Sequence, residues 1–193
     1  MARDGRGQQG GSLSPLLANI YLHYALDLWV QWWRKKHAQG DMIIVRYADD
    51  FVVGFQHKLD AERFHEALKA RLARFALTLH PTKTRLIEFG RFAARDRKRR
   101  GEEKPERFDF LGFTHICSQT RDGRFTIRRQ TIAKRLRAKL RALYVKLKRR
   151  RHWTIPEVGR WLGAVVRGHC QYYGVPGNFA LLKTFRQAVL RLW

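Results

Sequence analysis

Ile43-Ile44-Val45-Arg46-Tyr47-Ala48-Asp49-Asp50-Phe51-Val52-Val53-Gly54-Phe55 places two short β-favouring runs on either side of a turn that carries two carboxylates. Val, Ile, Tyr and Phe suit a pleated, half-buried surface, so the stretch predicts an antiparallel hairpin. Its turn is not the Asn-Gly or Asp-Gly pair that a two-residue hairpin prefers. The paired aspartates therefore have two readings: an ordinary solvated turn, or hard oxygen ligands at a sheet rim where a divalent cation can sit.

Working outward, Ser12 or Ser14 followed by Pro15 is a helix-start signal, because Ser caps orphan N–H groups and Pro at the first helical position loses no needed donor. A helix should run from about Pro15 past Trp29. After the hairpin, Phe64, Leu68, Leu72, Phe75 and Leu79 recur at four- and three-residue steps, which predicts an amphipathic helix opening near Asp60 and ending before Pro81. Arg85-Leu86-Ile87-Glu88-Phe89 and Phe108-Asp109-Phe110-Leu111-Gly112-Phe113 are further strand candidates. Ile132, Leu136, Leu140, Leu143 and Leu147 mark a long helix whose other face carries Lys134, Arg135, Arg137, Lys139, Arg141, Lys146 and Lys148. Helical segments around Trp161 and Leu181 follow. The expected fold class is α+β, a short antiparallel sheet with packed helices and then an all-α region, with Trp153, Trp161, Tyr172 and Tyr173 mainly in the core of that region.

Lys and Arg number 40 against 16 Asp and Glu, giving a net charge of +24. Hydrophobic residues at 45% supply enough apolar material for a packed core and exclude a disordered basic tail. The charge thus belongs to a folded body, whose simplest partners are phosphate polyanions such as RNA or DNA, with an anionic membrane surface as the rival. Acids are unevenly spread: residues 123–156 contain none, while residues 91–105 are polar, with Gly and Pro, and read as a solvated loop. No apolar run reaches the roughly 20 residues that cross a bilayer. Cys117 and Cys170 lack any Cys-x-x-Cys spacing, and no secretory leader is evident, which suggests an intracellular, cytoplasmic setting. His80, His115, His152 and His169 have no metal-ligand spacing.

Flanking segments carry a resemblance. Gln9-Gly10-Gly11-Ser12-Leu13-Ser14-Pro15-Leu16-Leu17-Ala18-Asn19-Ile20-Tyr21-Leu22, followed by Tyr47-Ala48-Asp49-Asp50-Phe51-Val52-Val53, resembles in order and spacing the fourth and fifth sequence blocks of group II intron reverse transcriptases. Leu77-Thr78-Leu79-His80-Pro81-Thr82-Lys83-Thr84 resembles the next block, with His80 where the family usually has Asn. Phe108-Asp109-Phe110-Leu111-Gly112-Phe113 resembles the primer grip. Trp153-Thr154-Ile155-Pro156 and Val166-Arg167-Gly168-His169-Cys170-Gln171-Tyr172-Tyr173-Gly174 are similar to the maturase (X, or thumb) domain of those proteins.

The resemblance implies a partial palm over residues 1–116 and a basic, helical maturase domain over 117–193. It implies that Asp49 and Asp50 are catalytic and ligate Mg²⁺, and that Gln9, Gly10 and Gly11 form the loop beneath the nascent base pair. Tyr47 would lie beside the nucleotide or primer end. Lys83 would approach the triphosphate, or else be a solvated lysine. Phe110, Leu111 and Gly112 would hold the primer, with core packing the alternative for the first two. Arg135, Arg137, Lys139, Arg141, Lys146 and Lys148 would contact RNA phosphates. The implied partners are intron or template RNA, RNA–DNA hybrid and dNTP, with no membrane partner. One departure qualifies this. A further metal-binding Asp that the family carries upstream has no counterpart here, and Asp4 and Asp27 lie in the wrong context to replace it. Two expectations follow: an RNA-directed DNA polymerase inactive alone unless a second polypeptide completes it, or a non-catalytic maturase-like module that binds intron RNA and assists splicing.

Overall fold

The computed structural model describes residues 13–193, with side chains from residue 15. It is α+β and divides into two compact units, one ending at Leu86 and the other spanning Ile87–Trp193.

In the first unit, α1 (Leu13–Leu22), a π-helical turn (His23–Asp27) and α2 (Leu28–Lys36) run end to end. The expected helix therefore reaches further than Trp29. The wider π turn leaves carbonyls without their usual partners, and Arg71 takes two of them, donating from Nε to Ala25 O at 3.0 Å and from Nη2 to Tyr24 O at 3.1 Å. Strands β1 (Met42–Tyr47) and β2 (Asp50–Phe55) form the predicted hairpin, paired from Met42↔Phe55 to Tyr47↔Asp50. Helix α3 (Lys58–Ala73) buries Phe64, Leu68 and Leu72 against Leu26, Val30, Trp33 and Met42. Asp60, 1% exposed, accepts the Gln39 and Gly40 N–H groups at 2.8 and 3.1 Å and so fixes the approach to β1.

The predicted extension of this helix through Phe75 and Leu79 does not occur. Leu77 N–H bonds Leu72 O at 3.0 Å and Ala76 N–H bonds Ala73 O at 3.1 Å, a Schellman closure that puts Ala76 at φ 50° where Gly is usual. Leu77 and Leu79 still pack on the core, but from the loop.

Across the junction of the two units, residues 85–89 form no strand. Phe89 packs edge-on against Phe108, and the neighbouring Gly90 spends its N–H on Cys117 Sγ rather than on a ladder. The segment expected to be a solvated loop contains α4 (Ala93–Arg99), which buries Ala93. Its arginines have acid partners: Arg95 with Asp96, and Arg100 with Glu88 and Glu102. Strands β3 (Phe108–Phe110), β4 (Phe113–Gln119) and β5 (Phe125–Thr131) make an antiparallel sheet.

Helices α5 (Ala133–Arg149), α6 (Ile155–Tyr173) and α7 (Phe179–Leu192) pack around Leu136, Leu143, Leu162, Phe185 and Val189. Helix α6 opens with a capping box in which Glu157 accepts from Thr154. Trp161 packs on this core. Trp153 and Tyr172 correct the core expectation, being 46% and 56% exposed.

Residue 116 lies within β4, and the compact units of the chain part at Leu86. The reason is local. Asn178, wholly buried, accepts Thr131 N–H at 3.0 Å and donates to Thr131 Oγ1 at 2.8 Å and Tyr173 O at 2.9 Å, fastening the end of β5 to the α6–α7 junction.

Candidate active site and nucleic-acid interface

The β1–β2 connection is a two-residue turn, Ala48-Asp49, closed by the Tyr47↔Asp50 pair. Ala48 sits at φ 54°, the left-handed region that matches the twist of a tight hairpin but costs an alanine about 1 kcal/mol. The strain is held by Arg46, which donates from Nη1 to Ala48 O at 2.8 Å and to Asn19 Oδ1 at 2.9 Å. The other side of its guanidinium makes a two-point bond to Asp27, at 2.8 Å to Oδ1 and 2.6 Å to Oδ2. That hydrogen bond, against the opposing effect of burial, keeps Arg46 more firmly protonated than a free arginine.

The aspartate turn is thus tied to α1 and to the π turn through one side chain. Asp49, Asp50 and Tyr47 are all exposed at its tip, Tyr47 by 66%. Two adjacent carboxylates with hard oxygens suit Mg²⁺ in kind, but among the described residues no group of three or more His, Cys, Asp or Glu is placed to hold a metal. The donor set fits part of a two-metal site.

Sequence reasoning missed Arg46 and weighed Asp27 only as a metal ligand, not as a support of the turn. Their signal was present: an arginine in an otherwise apolar strand, and an acid within a helix that is apolar around it. Gln9, Gly10 and Gly11 lie outside the described residues. Lys83 stands exposed in a separate turn after α3, where its N–H bonds His80 O at 3.2 Å.

The β3–β4 connection, Leu111-Gly112, is a second two-residue turn, with both residues at positive φ, 48° and 84°. That is the type I′ pattern, natural for Gly112 and strained for Leu111. Tyr172 Oη donates to Leu111 O at 3.0 Å, Ile132 N–H donates to Gly112 O at 3.1 Å, and the Phe113 ring stacks on Tyr172. A Cβ at Gly112 would lie 3.1 Å from Tyr173 Oη and 3.3 Å from Arg135 Nη1, so glycine here also permits a close approach.

Of Phe110, Leu111 and Gly112, Gly112 is in this way brought close to Arg135. Arg135, Arg137, Lys139, Arg141, Lys146 and Lys148 are all exposed on α5, and among the described residues none of them meets an acid. Lys148 instead lies over the Tyr144 ring at 4.7 Å. The contrast with the paired arginines beside α4 is direct: there the positive charge is neutralised internally, on α5 it faces outward.

Among the described residues no helix is long and apolar enough to cross a membrane. The sequence model of the family described as Reverse transcriptase (RNA-dependent DNA polymerase) matches residues 6–115, more than half of the chain. No curated protein matches.

Proposed function

The chain belongs to the reverse transcriptase (RNA-dependent DNA polymerase) family, and we propose that within it the chain is of group II intron type, a palm portion over residues 1–116 followed by a maturase, or thumb, domain over 117–193. The observation that carries this reading is the outward face of α5, whose cations meet no acid among the described residues. Such a face neutralises phosphates and binds RNA or an RNA–DNA hybrid by its backbone, with affinity that falls steeply with salt and little base readout. The intracellular setting and the RNA identity, intron or template, belong to the same proposal.

Asp49 and Asp50 are the residues that would hold Mg²⁺, which when bound activates a primer 3′-hydroxyl and offsets charge on an incoming dNTP. Arg46 holds their turn in place. Tyr47 presents a ring beside it, and Gln9, Gly10, Gly11 and Lys83 complete the proposed nucleotide side. Phe110, Leu111 and Gly112 hold the primer strand.

A second reading is favoured by the small donor set: a non-catalytic module that binds intron RNA and assists its folding and splicing. Two carboxylates on one turn hold a cation weakly, so nucleotidyl transfer needs a further carboxylate supplied to them.

Primer extension on RNA with dNTPs and Mg²⁺, beside hybrid binding at several salt concentrations, tests both. Extension that Asp49→Asn/Asp50→Asn abolishes supports the polymerase. No extension, with salt-sensitive binding unchanged by those substitutions, supports the module. Arg137→Gln/Arg141→Gln/Lys148→Gln should lower the salt slope by about 1 for each phosphate-neutralising cation replaced; an unchanged slope would refute the role given to α5.

A further inference from the structure

Under the Leu111–Gly112 turn lies a cleft of about 190 Å³ lined by Thr131, Arg135, Leu136, Lys139, His169 and Tyr173. No acid lines it. Its polar groups are donors or can become donors: a guanidinium and an ammonium four residues apart on α5, a phenol, and the Thr131 hydroxyl, whose oxygen already accepts from Asn178.

His169 is the unusual member. It is 7% exposed, stacked on Phe185 with ring centroids 3.7 Å apart, and its Nε2 is buried with no hydrogen-bond partner. A buried polar atom without a partner costs stability unless something else completes it. Burial first, and the Lys139 ammonium second, hold its pKa below the usual imidazole range, so it is neutral when the cleft is empty. The charged or titratable groups facing it are Arg135 and Lys139 from α5 and Tyr173 from α6; Thr131 from β5 and Phe185 from α7 contribute none.

Two cations, hydroxyl donors and an imidazole around a space of this size lack only an anionic acceptor. Resting on the nucleic-acid reading above, we infer that the cleft is a niche for one phosphodiester of a bound nucleic-acid strand, held by Arg135, Lys139 and Tyr173, and that His169 takes up a proton from solvent as the anion enters and donates it from Nε2. The niche lies against Gly112, so a strand lying over the turn is anchored from below by one phosphate. Entry of the anion removes the charge conflict between Lys139 and a protonated His169, which raises the histidine's pKa.

The test follows the His169 ring signals by NMR in the full chain, titrated with a short RNA–DNA hybrid in one arm and inorganic phosphate in the other. The expected result is a rise in the His169 pKa when the hybrid binds, abolished by Arg135→Gln or Lys139→Gln. Lys139 is exposed, so Lys139→Gln keeps the fold while weakening hybrid binding about 3- to 10-fold and lowering the salt slope by about 1. Hybrid that binds without moving the His169 signals overturns the inference, whatever phosphate does. Phosphate that moves them while the hybrid fails to bind at all supports an anion niche and overturns the nucleic-acid reading instead. Signals that move with neither probe overturn the niche.

Discussion

Replacing Arg46 with Met keeps the length of the side chain and removes its charge and donors. The substitution breaks two bonds to Asp27, at 2.8 and 2.6 Å, and one each to Asn19 and to Ala48 O. Arg46 and Asp27 have side chains 17% and 24% exposed, too shielded for the near-zero value of a surface pair and too wet for the full penalty of a buried one. A hydrogen bond to a charged group contributes about 1.5–3 kcal/mol, and stranding Asp27 adds to the loss. The expected destabilisation of the first unit is about 3 kcal/mol, or roughly 150-fold faster exchange of its most protected amides.

Native-state hydrogen exchange of the full chain reads this at Phe64, Leu68 and Leu72 in α3, with the α7 amides as an internal control. Asp27→Leu in the Arg46→Met background should recover about 1–2 kcal/mol, because the stranded carboxylate is then gone. The reasoning fails if Arg46→Met costs under about 1 kcal/mol, or if the α7 amides accelerate equally.

Asn178→Ala removes two buried bonds and one part-buried bond and should cost the second unit about 2–4 kcal/mol, read from α7 amide exchange; a loss within the surface range would show that Thr131 finds another partner. Leu111→Asn supplies the Asn-Gly pair that a type I′ turn prefers and should raise stability by about 1 kcal/mol in chemical denaturation, while no gain would mean the φ of 48° is not strained. His115 and His169 both have pKa values lowered chiefly by burial, so the unfolded chain binds protons more readily. Stability they confer is complete above the usual imidazole range and lost as pH falls through the folded values. Denaturation midpoints should drop between about pH 7.5 and pH 5 more in the native chain than in His169→Gln; equal drops would refute the assignment to His169.

Helices α3 and α5 were legible because a helical period of apolar residues marks each, and the hairpin because two β-favouring runs flank a turn. Helix ends were harder. The spacing from Leu72 to Phe75 to Leu79 continues a helical count although the chain has already turned at Ala76, and no glycine marks the turn. Residues 91–105 read as loop because their composition is polar, yet pairing of Arg95 and Arg100 with acids and burial of Ala93 suffice for a short helix. The aspartate turn was found from its neighbours in sequence, whereas its support from Asp27 and Asn19 comes from about 20 residues or more away and leaves no local pattern.

The π turn has a bearing on insertions and deletions. Asn19 and Asp27 are eight residues apart, a spacing that in an unbroken α-helix leaves them about 80° apart around the axis. The π turn between them holds an extra residue, and both reach the same guanidinium. Removing a single residue from His23–Asp27 would therefore act as a rotation rather than a shortening: α1 would swing about its own axis and carry Asn19 off Arg46. A deletion there should be tolerated by the helix and not by the aspartate turn, and in related chains a one-residue gap at this place would signal a differently anchored turn.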